Sequence, residues 1–176
     1  MAPKIKMKAI LHKEFGGPEV LGVTNDVEIP QIEKHEVLIQ VHAAGINRPD
    51  ILQRSGGYPP PPGASEILGL EVSGEIVDVG EDVNKNLLNT KVCALVPGGG
   101  YAEFVKCHTS TILPVPKGIS IIDACTIPET FFTVWTNLFD QAKLKQVDIY
   151  KPLVDDFESE IVTIQISSIN QEKTIE

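Results

Sequence analysis

Apolar and polar positions alternate through most of the first 115 residues, and a period of two predicts β-strands. Glu36–Ala44, EVLIQVHAA, is the clearest case: Val37, Ile39, Val41 and Ala43 fall on one face, Leu38, Gln40 and His42 on the other. Less regular runs at Met7–Phe15, Val20–Ile29, Ile67–Val79, Lys91–Val96, Tyr101–Cys107 and Thr111–Val115 read as further strands. Between them stand breakers: Gly16-Gly17-Pro18, Pro30, the stiff run Tyr58-Pro59-Pro60-Pro61-Pro62-Gly63, and Pro97-Gly98-Gly99-Gly100. Gly69 and Gly74 interrupt the Ile67–Val79 run and mark bulges or close backbone approach. Tyr101–Cys107 follows Lys91–Val96 across the triple glycine, which makes the two natural hairpin partners.

A helical period occurs in two places. Asn47 stands at a cap position with Pro49 in the first turn, and Ile51–Arg54 supply one turn before Gly56-Gly57 stop it. Ser120 and Asp123 have capping-box spacing. Pro128 then opens a longer helix with Phe131, Val134, Trp135, Leu138 and Ala142 at three- and four-residue intervals. Beyond Lys145 the pattern dissolves, and only Ile161–Ile169, IVTIQISSI, has strand character. Successive strands closed by one or two C-terminal helices predict a mainly β fold, a small barrel or sandwich.

Length and composition narrow the function classes. A chain of 176 residues with 42% hydrophobic content suits one domain, or one domain with an appendage, and can bury a core. The formal charge of −9 argues against a nucleic-acid partner, since phosphate binding needs a basic face. More than half of that excess lies in residues 146–176, with seven acids and two lysines, so residues 1–145 are expected to form the domain and 146–176 a divergent acidic tail. No apolar run reaches bilayer length and the N-terminus lacks a signal-type apolar stretch, so no membrane partner is expected and the expected location is cytoplasmic. Cys93, Cys107 and Cys125 form no CxxC motif and suit reduced, buried thiols.

Candidate chemistry is sparse. His12, His35, His42 and His108 are scattered, without the spacing of a zinc site. Gly98-Gly99-Gly100 precedes a strand, whereas a phosphate-cradling loop runs into a helix, so the glycines read as a turn. Asn47 and Tyr58 are the polar residues of interest. Each also has a structural reading, Asn47 as a helix cap and Tyr58 as a loop aromatic packed on prolines.

The stretch GINRPDILQRSGGYPPPPGASEILGLEVSGEIVDVG, together with Phe15-Gly16-Gly17-Pro18-Glu19, VCALVPGGGYAEFV and LPVPKGISIIDACTIPETFFTVWTNLF, resembles the medium-chain dehydrogenase/reductase superfamily. Within it the chain is most similar to the zinc-independent quinone oxidoreductases of the p53-inducible type, in unbroken register from about Lys8 to Lys145. The resemblance implies a GroES-like, partly open β-barrel as the catalytic domain, and NADPH-dependent hydride transfer to a quinone. It places Asn47 and Thr133 beside the nicotinamide and makes Tyr58 the cleft residue that orients the quinone oxygen; a second cleft tyrosine of some relatives aligns with Leu52.

Zinc-dependent members carry a cysteine at the position of Asn47 and a histidine at that of Leu70 in Gly69-Leu70-Glu71, so the resemblance implies no metal. Relatives continue into a Rossmann domain through a glycine-rich turn, whereas here no glycine follows Gly118, so the Rossmann domain is expected to be absent and the chain truncated before it. A non-catalytic GroES-like interaction module or degraded copy is the alternative, with the apolar face of the Phe131–Phe139 segment covered by the tail or by a second copy in a homo-oligomer.

Overall fold

The computed structural model describes residues 6–145, and the expected strand Ile161–Ile169 lies outside them. The chain divides into two compact units after Thr133, and all the strands among the described residues belong to the first. Strand β1 (Lys6–His12) pairs antiparallel with β2 (Leu21–Glu28) as a two-stranded ribbon. The larger sheet holds β3 (Glu36–Ala44), β4 (Glu71–Val79), β5 (Lys91–Leu95), β6 (Phe104–His108) and β7 (Ile112–Pro114), in the order β6-β3-β4-β5-β7.

The ribbon joins the sheet through the segment that leads into β6. Ala9 bridges Ala102, the Ile10 N–H donates to the Tyr101 carbonyl, and the Glu103 N–H donates to that of Lys8. β6 and β7 remain as opposite edges, so the barrel is partly open, as the family resemblance implies. Pro114 ends β7 at an edge, where a missing N–H breaks no ladder.

The core lies on the face that the alternation marks. Val37 and Ile39 of β3, Val72 and Ile76 of β4, and Ala94 of β5 are fully buried, with Val92, Val105 and Cys107 around them. A register shift between Val41 and Ala43 ends the strict alternation of β3, which is why Val41 is only half-buried.

Four sequence expectations change. β1 stops at His12 rather than Phe15. β4 begins at Glu71 rather than Ile67, because Gly69 takes φ +100° and a Cβ there would come within 2.8 Å of Gly100 Cα. β6 does not form a hairpin with β5: the glycine turn docks on the preceding loop, with Gly99 N–H donating to the Ile67 carbonyl and Tyr101 N–H to that of Leu68. The chain is thereby carried across to β3, where Glu36 faces His108 and Gln40 faces Phe104. The Pro128 helix is also shorter than its periodicity suggests, α2 covering Pro128–Trp135 before a π-type turn over Thr136–Gln141. Of the expected Ser120–Asp123 box one half is seen, the Asp123 N–H donating to Ser120 Oγ at 3.0 Å; in return the Ser120 hydroxyl, rather than its N–H, donates to Asp123 Oδ2 at 2.6 Å, just before a 3-10 turn at Asp123–Thr126.

Candidate functional site

Helix α1 (Arg48–Arg54) starts where β3 ends, and its cap organises a buried polar cluster. The Asn47 backbone N–H donates to Asp50 Oδ2 at 2.8 Å, closing the first turn. Asp50 is only 3% exposed, yet its carboxylate takes two further donors: the Gly69 N–H at 3.1 Å on Oδ1 and the Tyr101 hydroxyl at 2.9 Å on Oδ2. A buried carboxylate is tolerated when its lone pairs are filled in this way.

Glu71, 2% exposed, is the second buried acid and joins two parts of the site. Its Oε1 accepts from the Asn47 side-chain amide at 2.9 Å, and its Oε2 accepts from the Glu129 backbone N–H at 2.9 Å, in the first turn of α2. Acceptance at a helix N-terminus suits a carboxylate, because the free N–H groups there point outward. Glycine is required at position 45, where a Cβ would fall 2.1 Å from Glu71 Oε1.

The electrostatics follow from this burial. Burial, then the Asp50 hydrogen bond and charge, pushes the Tyr101 phenol well above its ordinary range, so it stays a neutral donor. Burial and the neighbouring charges of Glu71 and Asp50 raise the Glu129 carboxyl. Burial raises all three thiols, Cys107 to about 11, so none is an activated nucleophile.

Tyr58 stands apart from this cluster. It lines a cleft of about 430 Å³ walled by Phe15, Gln53, Pro59, Pro60 and Glu66, among others, which neither Asn47 nor Thr133 lines. Tyr58 is 44% exposed and its hydroxyl makes no hydrogen bond among the described residues. Thr133 is exposed on α2, four residues beyond Glu129 and therefore on the same helix face. The structure thus ties Asn47 through Glu71 to the helix that carries Thr133, and gives Tyr58 a separate cleft.

Sequence reasoning missed Asp50, Glu71 and Tyr101. A carboxylate inside the apolar run ILGLEVSGEIV was the available signal for Glu71.

Residues 33–117 match the alcohol dehydrogenase GroES-like domain. Residues 33–117 are a domain of that family. The chain is 37% identical over 140 residues to the quinone oxidoreductase of Mus musculus, covering 79% of this chain and 42% of that protein. Among solved structures, the quinone oxidoreductase of Coxiella burnetii is 32% identical with a TM-score of 0.68, over 81% of this chain and 47% of that one. The human synaptic vesicle membrane protein VAT-1 homolog-like protein is 28% identical with a TM-score of 0.71, over 80% and 45%. The family and the GroES-like fold implied by the sequence are therefore borne out, and the chain spans less than half the length of these relatives.

No group of three or more histidine, cysteine, aspartate or glutamate side chains among the described residues is arranged to hold a metal ion. The residues around Asn47 do not fit zinc: an amide at 47, an alkyl chain at 70, and a carboxylate at 71 with both oxygens engaged. No helix among the described residues is long and apolar enough to cross a membrane.

Proposed function

We propose that residues 6–145 are the substrate-side domain of a zinc-independent quinone oxidoreductase that uses NADPH. The observation that carries this reading is the Asn47–Glu71–Glu129 link, an arrangement of hydrogen bonds where alcohol-oxidising relatives would need metal ligands. The curated quinone oxidoreductase relatives support the substrate class.

NADPH, when bound, would supply the hydride. Asn47 and Thr133 are the residues of this chain that would meet its nicotinamide end. Glu71 fixes the Asn47 amide, so the contact is set before the cofactor arrives. Tyr58 presents an unengaged phenol to its cleft and would donate to the quinone oxygen as negative charge builds there.

Trp135, the only tryptophan, lies two residues from Thr133 and reports the test. The full chain is titrated with NADPH, and separately with NADH, while Trp135 fluorescence is followed with inner-filter correction. Saturable quenching at micromolar NADPH, weaker with NADH, supports the reading. No saturable change up to millimolar cofactor would show that this chain does not bind the dinucleotide by itself.

A further inference from the structure

The Tyr58 cleft contains a second polar group that the family reading does not assign. Gln53 is 4% exposed, and its carboxamide makes no hydrogen bond among the described residues. Yet no buried side-chain nitrogen or oxygen there is left without a partner. Both statements hold only if the Gln53 amide keeps an accessible edge, and the cleft is the space that it lines. An amide buried to this degree with nothing to bond is costly unless a ligand or water completes it.

The walls around it are fixed. Gly16 N–H donates to the Arg54 carbonyl at 3.1 Å and Arg54 Nε returns a bond to the Gly16 carbonyl at 3.1 Å, joining the loop after β1 to the end of α1. Phe15 lies over Gly56, where a Cβ would approach its ring to 3.0 Å, and Gly56 has φ +83°. The Phe15 ring is 68% exposed and sits 5.9 Å from that of His12. A flat ring entering the cleft would meet apolar surface from Phe15, Pro59 and Pro60, and the polar side chains Tyr58 and Gln53 beside the rim residues His12, Lys13, Glu14 and Glu66. The volume of about 430 Å³ is within the usual range of roughly 300–1,000 Å³ for small-molecule sites.

We propose that Gln53 is a specificity-determining residue of this cleft, its carboxamide donating to a carbonyl oxygen of a planar aromatic dicarbonyl while the Tyr58 hydroxyl donates to the same ligand. This rests on the quinone reading above and adds to it a second polar contact. It selects a ring bearing carbonyl oxygens over the hydrocarbon of the same shape, because an unmet buried amide penalises the hydrocarbon.

The test is equilibrium binding of anthraquinone-2-sulfonate and of anthracene-2-sulfonate to the full chain, by calorimetry. The two probes share a charge and a flat three-ring frame, and neither offers an open quinone carbon to a thiol. Wild type is expected to prefer the anthraquinone by about tenfold, the scale of one or two neutral hydrogen bonds. Gln53→Leu and the better-packing Gln53→Met, checked for folding by circular dichroism, should each cut that preference by about fivefold while leaving anthracene binding unchanged or tighter. Retention of the full preference in the folded Gln53 variants, with its loss in Tyr58→Phe, would overturn the role of Gln53 and leave the quinone reading intact. Equal wild-type affinity for both probes, or no binding of either, would overturn the quinone reading of the cleft together with the role of Gln53.

Discussion

Replacing Asp50 by asparagine changes one atom and should destabilise the protein substantially. Asp50 accepts from two backbone N–H groups, Asn47 on Oδ2 and Gly69 on Oδ1, and from the Tyr101 hydroxyl on Oδ2. An asparagine places an NH₂ group on one of those two sides. Facing Gly69, it leaves a buried N–H opposite a donor; facing Oδ2's partners, it does the same to Asn47, and only Tyr101 is able to turn, toward the Gly45 carbonyl 3.4 Å away. Backbone donors cannot be reversed, so one N–H is unmet in either orientation. An unmet buried donor costs about 1–3 kcal/mol, and weakening the remaining bonds from charged to neutral brings the total to about 2–4 kcal/mol.

Glu71→Gln provides the contrast. Its two donors are the Glu129 backbone N–H and the Asn47 side-chain amide, and the latter is able to flip and present its oxygen. Gln at position 71 keeps every partner and should cost under about 1 kcal/mol. Urea unfolding of the full chain, followed by far-UV circular dichroism at neutral pH, reads both. With a slope of about 1–3 kcal/mol per molar, the Asp50→Asn midpoint should fall by about 1–2 M with m unchanged. A loss within about 0.5 kcal/mol for Asp50→Asn, or equal losses for the two variants, would refute the donor-counting argument.

Three further outcomes are expected. Glu129 has a raised carboxyl, so its contribution is complete when it is protonated and is lost as pH rises out of the ordinary carboxylate range; Glu129→Gln should raise the melting temperature at pH 7, and the gain should vanish near pH 4, as calorimetry across that window would show. Cys93, Cys107 and Cys125 are buried with raised thiols, so an aromatic disulfide reagent at pH 8 should label none of them faster than the protein unfolds, and three in denaturant. Gly69→Ala puts a Cβ 2.7 Å from the Tyr101 ring at φ +100°, and should lose several kcal/mol by the same urea assay, whereas Gly63→Ala, at φ +82° with nothing within 4 Å, should lose only about 1 kcal/mol.

What the sequence made legible was what lies close along the chain. Val37 and Ile39 announce the core face because a strand's period is two, and Asn47 with Pro49 announces the start of α1 because a cap residue and a first-turn proline lie two residues apart. The placement of β6 was not legible: chain proximity favours a hairpin with β5, and only the docking of Gly99 on Ile67 redirects it to β3. Glu71 escaped notice for the same reason, since its partners lie 24 and 58 residues away. Gln53 looked like an ordinary polar position on a short helix until its burial against the Phe15 loop was known.

The three donors to Asp50 come from positions 47, 69 and 101, separated along the chain by 19 and 51 residues from their acceptor in the two distant cases. Such contacts enclose long loops, and a folding chain loses their closure entropy before it gains their bonds. Asp50 should therefore mark a late event in folding. Its loss would speed unfolding more than it slows folding, so a variant at this position would reach the native state at nearly the normal rate and fail to stay there.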